Sequence, residues 1–234
     1  MSGLNTASGT EGFLTHVRQL GASILGHVSM RIELLSIEAR FLATQVRFRD
    51  PRSWLFRRRE SGGGILLWLG CHYLDLLQHV SGDEITGVAA RLAIRSGERI
   101  AVEDTAALTL EFRSGAIGTF HAGYSLAFSG SGYLNAGGYD AYLALNGRAG
   151  RLVWPSVAPR LQLELPAARR TQTFRLRETT SYGGAAGEVF IRQFIAAVRG
   201  RGAPPTTLAD AWRTARLIEA TETSARTGRF VRLS

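Results

Sequence analysis

The sequence predicts an α+β fold: a mostly antiparallel, open sheet with helices packed on one face. Three observations predict it. An apolar stripe at helical spacing runs from Ile65 to Val80. A series of alternating segments separated by turn residues follows it. Two helical stretches with glycine stops then close the chain, and this order of elements gathers helices against one side of a sheet.

Taken in order, residues 1–34 read as a polar leader and a short helix, and residues 35–234 as the domain proper. Within the leader, Phe13–His27 carries Leu14, Val17, Leu20, Ile24 and Leu25 at helical spacing, weakened by Gly21 and Gly26. From Leu35 to Phe48 the pattern changes to alternation, with Ile37, Ala39, Phe41, Ala43 and Val46 set against Glu38, Arg40 and Arg47. That is one long strand, closed by Asp50-Pro51. The next helix is opened by Ser61-Gly62-Gly63-Gly64 and built on Ile65, Leu66, Leu69, Tyr73, Leu76, Leu77 and Val80. Ser81-Gly82-Asp83 ends it.

Strands are then predicted at Thr86–Ile94, Thr105–Phe112, Gly118–Ser125, Tyr139–Leu145, Arg151–Trp154, Leu161–Leu165 and Thr173–Leu176. Turns fall at Arg113-Ser114-Gly115, Asn146-Gly147 and Pro166. Gly187–Val198 and Leu208–Thr227 are the closing helices, and Arg229–Leu233 is a last short strand. In Thr105–Phe112 one face reads Ala106, Leu108, Leu110 and Phe112, suited to packing under helices. The other reads Thr105, Ala107, Thr109 and Glu111. Few helices are available for so many strands, so one broad face of small residues should stay open, as a sheet-on-sheet contact requires. A one-sided sheet facing water is the alternative.

Composition narrows the function. The chain is 234 residues long, 45% hydrophobic and 20% charged, as one globular domain requires. No apolar run approaches the roughly 20 residues of a membrane helix, and the polar start is unlike a secretory signal. With a lone Cys71, a cytoplasmic location is expected. The net charge of +9 raises the question of a nucleic acid. All the basic residues are Arg, spread along the chain with short clusters only at Arg57–Arg59 and Arg169–Arg170, so no phosphate track is expected. The lack of lysine also excludes a Schiff base, a lysine acid or a P-loop lysine from this chain.

The chemistry concentrates in Gly62-Gly63-Gly64-x-Leu66-x-x-x-Gly70-x-His72-x-x-Asp75. Glycines at a helix N-terminus permit close approach of a backbone or ligand and leave N–H groups pointing outward. His72 and Asp75 share a helical face, with His79 two turns beyond His72. An imidazole at a cleft is suited to acid–base work near neutrality. The competing reading is a capped helix whose His and Asp bond to neighbouring backbone. A metal on His72, Asp75 and His79 is possible by spacing, but no further Cys/His cluster supports it, and no metal is expected.

These residues carry a resemblance. Gly62-Gly63-Gly64-Ile65-Leu66…Gly70-Cys71-His72-Tyr73-Leu74-Asp75-Leu76-Leu77 resembles the start of the C-terminal domain of the Gfo/Idh/MocA oxidoreductases. Glu103-Asp104-Thr105-Ala106, Gly115-Ala116-Ile117-Gly118, Ser181-Tyr182 with Phe190 and Phe194, and Glu219-Ala220…Ser224…Thr227-Gly228-Arg229 follow in that family's order. The resemblance implies a domain that shapes a substrate pocket and mediates oligomerisation, beside a Rossmann domain that binds NAD or NADP. It implies hydride transfer at a carbon of a sugar or polyol, with a His and a Lys as acid–base groups. His72 matches that His as the catalytic candidate; Trp68 stands where the family carries an Asp, and could wall the pocket or stack on a sugar ring. Trp68, Gly63, Gly64 and Asp75 are the substrate-binding candidates.

The family's Glu-Lys-Pro motif does not occur, and no strand–glycine turn–helix order marks a dinucleotide cradle. Gly130-Ser131-Gly132-Tyr133-Leu134-Asn135 lies in a loop among strands and lacks the final Gly. Arg199-Gly200-Arg201-Gly202 reads as a helix stop, not an RNA-binding repeat. Neither NAD nor NADP is therefore expected to bind the chain alone, and turnover by it alone is not expected. The expected partners are a small-molecule substrate and a second copy of the chain across the open sheet face, with neither nucleic acid nor membrane. A non-catalytic small-molecule binding or oligomerisation module is the alternative.

Overall fold

A computed structural model of the chain describes residues 33–126, 139–154, 160–175 and 184–233. The Phe13–His27 helix, the Gly130–Asn135 loop, Leu176 and Ser181-Tyr182 lie outside the described residues. The described strands are β1 (Leu34–Thr44), β2 (Ile85–Ala93), β3 (Thr105–Phe112), β4 (Ile117–Leu126), β5 (Tyr139–Gly147), β6 (Gly150–Trp154), β7 (Arg160–Leu165), β8 (Arg170–Arg175) and β9 (Val231–Arg232). They form one sheet of order β8-β7-β6-β5-β1-β4-β3-β2-β9. Among them only β1 and β4 run parallel; every other described pair is antiparallel. The longer helices among the described residues are α1 (Cys71–Ser81), α2 (Gly184–Val198) and α3 (Leu208–Thr227), with a single helical turn at Arg58–Ser61. This is the α+β architecture that the patterning predicts.

Period-two alternation decides which side of the sheet is covered. Ala106, Leu108, Leu110 and Phe112 of β3 are buried, and in register beside them lie Phe120 and Ala122 of β4 and Ile37, Ala39 and Phe41 of β1. Leu74, Leu76 and Leu77 of α1 close this core from above, with Leu217 of α3. The opposite side is open: Ala107 and Thr109 of β3 and Thr119 and His121 of β4 are exposed. Across β1, β5 and β6 the open side carries a polar ladder. Arg40 makes a bidentate pair with Asp140 at 2.9 and 3.1 Å. Arg151 donates to the Tyr142 hydroxyl at 2.9 Å and to Asn146 at 2.8 Å, and Asn146 donates to Ser36 at 3.0 Å.

Four local expectations are corrected. The first strand stops at Thr44, and Val46–Phe48 is a 3₁₀ turn that buries Val46. The β5–β6 turn is Arg148-Ala149, not Asn146-Gly147, because Gly147 pairs with Gly150 and the amide of Asn146 is used on the sheet face. β8 begins at Arg170, ahead of the predicted Thr173, because its pairing with β7 extends to Leu165. Finally, α2 does not settle on the sheet: Val189, Ile191, Phe194, Ile195 and Val198 are exposed.

Candidate active site

The helix that carries His72 is not uniform. It starts at Ile65, widens to a π-helical turn over Leu66–Gly70, and then continues as α1. Such turns widen a helix locally and recur at functional sites. Gly70 lies within this turn, where a Cβ would stand 3.4 Å from the Phe120 ring. Beyond it, Tyr73 packs between Phe41 at 4.4 Å and Phe120 at 6.2 Å, which fixes the helix on the sheet. Gly82 ends the helix in the left-handed region at φ 63°, returning its N–H to the Gln78 carbonyl.

With Tyr73, Leu76, Leu77 and Val80 buried, the other side of the helix presents Trp68, His72, Asp75 and His79 at steps of four, three and four residues. Trp68, His72 and Asp75 are half-buried and His79 is exposed. Three of the sequence candidates, Trp68, His72 and Asp75, therefore share one stripe. Trp68 donates its indole N–H to the Ser61 carbonyl at 3.0 Å and meets Trp54 edge-on with ring centroids 5.0 Å apart. Its ring position is thus fixed from two sides. At the far end, Asp75 and His79 line a cleft of about 350 Å³ with Gln78, Asp83, Glu84 and Arg213.

Gly63 and Gly64 are placed differently. Both are buried, and the Gly64 N–H, expected to point outward, is taken, as are those of Ile65 and Leu66 after it. Glu103 Oε1 accepts the Gly64 N–H at 2.9 Å and the Leu66 N–H at 3.3 Å, and the Ile65 N–H reaches the Glu103 carbonyl at 3.0 Å. The physical reason is an N-terminal cap supplied from a distant segment. Burial pushes the Glu103 carboxyl above its ordinary value; its own backbone N–H and those of Gly64 and Leu66 act against that rise, and nearby Glu222 adds to it. Neighbouring Asp104 is buried too and accepts from the Arg95 and Ser96 backbone N–H groups, both at 2.8 Å, and from the Thr105 hydroxyl at 3.0 Å. In the sequence Glu103-Asp104 is one of the segments that carry the resemblance and has no assigned role. Its only local signal was two acids in succession ahead of an apolar strand.

Chemically, His72 and His79 are the side chains on this stripe whose type can take and return a proton, His72 being the one beside Trp68, which offers an aromatic wall. The glycine-rich opening does not fit the pyrophosphate of a dinucleotide, because its Gly64 and Leu66 N–H groups already serve the Glu103 carboxyl. Among the described residues no group of three or more His, Cys, Asp or Glu side chains is placed to hold a metal ion. Nor is any described helix long and apolar enough to cross a membrane.

Residues 33–153 match the GFO/IDH/MocA C-terminal domain. The chain superposes on an oxidoreductase domain protein from Kribbella flavida with a TM-score of 0.78 at 19% identity, over 97% of this chain and 65% of that one. It does so on levoglucosan dehydrogenase in complex with NADH and levoglucosan with a TM-score of 0.78 at 18% identity, over 97% and 65%. For aldose-aldose oxidoreductase from Caulobacter crescentus the values are 0.72 and 21%, over 95% and 63%. The chain thus spans 63–65% of the length of these proteins. At such identities the likeness establishes a common fold.

Proposed function

The chain belongs to the GFO/IDH/MocA family, and we propose that it forms the substrate-facing part of an NAD(P)-dependent oxidoreductase acting on a sugar, polyol or related CH–OH carbon. The observation that carries this reading is His72 on the outward stripe of a helix whose opening is clamped by Glu103 and widened by a π turn. The names levoglucosan dehydrogenase and aldose-aldose oxidoreductase among its structural neighbours favour a carbohydrate. In this reading His72 handles the proton of the substrate hydroxyl, Asp75 shapes the floor, Gly64 admits the Glu103 clamp behind them, and Trp68 forms a wall against a sugar ring. The nicotinamide accepts or gives the hydride, held by a nucleotide-binding unit of the kind the Rossmann half of the family supplies. A reducing, cytoplasmic setting suits the single Cys71.

The replacement of an acid by Trp68 favours a second reading: a non-catalytic binding or oligomerisation module that keeps the pocket. One experiment separates the two. The chain is joined to the nucleotide-binding domain of a relative, and NADH or NADPH formation is followed with a panel of sugars and polyols. Turnover that falls by roughly 10²–10⁴-fold in His72→Ala, with the melting temperature retained, supports the enzyme. Saturable sugar binding by titration with no turnover supports the module. Normal turnover in His72→Ala removes His72 from the chemistry.

A further inference from the structure

Two tryptophans meet nearly at a right angle one helical turn from His72. The rings of Trp54 and Trp68 have their centroids 5.0 Å apart and their planes at 81°. The other described aromatic pairs, Phe41–Tyr73, Phe56–Tyr124 and Tyr73–Phe120, are sealed in the core. Trp54, 38% exposed, and half-buried Trp68 stay in contact with solvent instead. An edge-to-face pair left at the surface presents a concave corner, with one wall from each ring.

One short segment, residues 53–61, holds both rings. Phe56 is buried and its carbonyl accepts the Ala101 N–H at 3.0 Å, which seats the 3₁₀ turn Trp54–Phe56 on the core. Ser53 caps that turn by accepting the Leu55 N–H at 3.4 Å, and the Arg57 N–H returns to the Trp54 carbonyl at 3.1 Å. At the other end, buried Ser61 donates its hydroxyl to the Arg57 carbonyl at 3.1 Å. Its own carbonyl accepts the Trp68 indole N–H at 3.0 Å. Trp68 thus has no side-chain donor left, and what it offers a ligand is apolar ring. His72 follows Trp68 by four residues on the same stripe, about 6 Å along the helix and within the span of one sugar ring.

We propose that Trp54 joins Trp68 in seating a cyclic sugar, and that their corner selects a closed ring over the open-chain polyol. The inference rests on the oxidoreductase reading above and narrows its substrate class. A pyranose is a rigid disc with C–H groups on its faces and hydroxyls around its rim. Its face lies on one indole while its rim meets the other, and no ring torsion has to be frozen. An open-chain polyol has no flat apolar face and must lose the freedom of its carbon backbone to touch both walls.

Ligand-observed NMR titration of the full chain tests this. The probes are the methyl pyranosides of glucose, galactose, mannose and xylose, whose rings cannot open, each beside the polyol of the same configuration. At least one pyranoside should bind roughly tenfold or more tighter than its polyol, with its C–H protons shifted upfield by the indole rings. Trp54→Ala should bring the two within about twofold of each other, while Trp54→Phe keeps part of the preference. A Trp54 that only supports the fold would weaken both ligands alike and lower the melting temperature, which overturns the proposal. Equal affinity for pyranoside and polyol in the unaltered chain overturns the corner and leaves the oxidoreductase reading standing. Binding of neither class removes the carbohydrate substrate together with the corner.

Discussion

Glu103 and Gly64 are in contact twice over: the Glu103 carboxylate accepts the Gly64 N–H at 2.9 Å, and a Cβ placed on Gly64 would stand 1.8 Å from the Glu103 carbonyl oxygen. The contact joins the segment ahead of β3 to the opening of the helix that holds His72. It makes the orientation of that helix depend on an acid 39 residues away.

Removing the acid should therefore cost more than altering its charge. Glu103→Ala leaves the Gly64 and Leu66 N–H groups buried without their acceptor, at roughly 1–3 kcal/mol for each. Glu103→Gln keeps an acceptor oxygen and should be milder. The pH dependence has a definite sign. The folded carboxyl titrates above its ordinary value of 4.5, so between 4.5 and the folded value the native state binds more protons than the unfolded one. The contribution of Glu103 is thus most favourable below 4.5 and declines as pH rises through the folded value. The melting temperature of Glu103→Gln minus that of wild type should accordingly increase with pH from 4.5 upward and then level off. A difference that stays flat or falls over that range refutes the burial argument.

Two glycines of one helix should respond differently to alanine. At Gly64 the added methyl meets the Glu103 backbone, which cannot swing aside as a flexible side chain would. Overpacking together with loss of the clamp should cost roughly 3 kcal/mol or more. At Gly82 the methyl meets nothing within 4 Å, and the cost is that of a left-handed residue at φ 63°, about 1 kcal/mol. In a chain of this size each kcal/mol corresponds to about 2–4 °C in melting temperature. Calorimetry on the two variants checks the order, and Gly82→Ala should also leave the His72 stripe unaffected.

What the sequence disclosed, and what it did not, follows from the range of each interaction. The bounds of β3 and α3 are legible because alternation and the Gly228 stop are local signals. The positions of Trp68, His72 and Asp75 on one stripe are legible for the same reason, since spacing alone sets them. The clamp on Gly64 is not, because a single carboxylate reaches it from across the fold. Nor is the end of β1, where the Gln45 N–H pairs with the Leu126 carbonyl at the end of β4. The π turn leaves no composition signal at all. The apolar pattern of α2 predicts a buried face, yet its side chains are exposed, because periodicity marks a surface that seeks cover and not what covers it.

The open side of the sheet leads to the last prediction, self-association through the half formed by β2, β3 and β4. The other half has its polar groups already matched, through Arg40 with Asp140 and through Arg151 with Tyr142 and Asn146. Charged side chains held in such pairs gain little from a second partner. In the β2–β4 half, exposed Ala107 and Thr109 lie in register with His121 and Thr119 on one side and with Arg91 and Ala89 on the other, so small residues at the centre are flanked by Arg91 and His121. Two such surfaces can approach at the roughly 10 Å spacing of packed sheets. A large charged side chain at its centre should prevent this without disturbing the core on the far side. Ala107→Arg should therefore give a monomer by light scattering on gel filtration at a protein concentration where wild type runs as a dimer or larger, with the melting temperature of the dissociated chain unchanged. A wild-type chain that stays monomeric at tens of micromolar protein, a concentration at which a micromolar affinity would be visible, assigns this face to water. An Ala107→Arg chain that still dimerises moves the contact elsewhere.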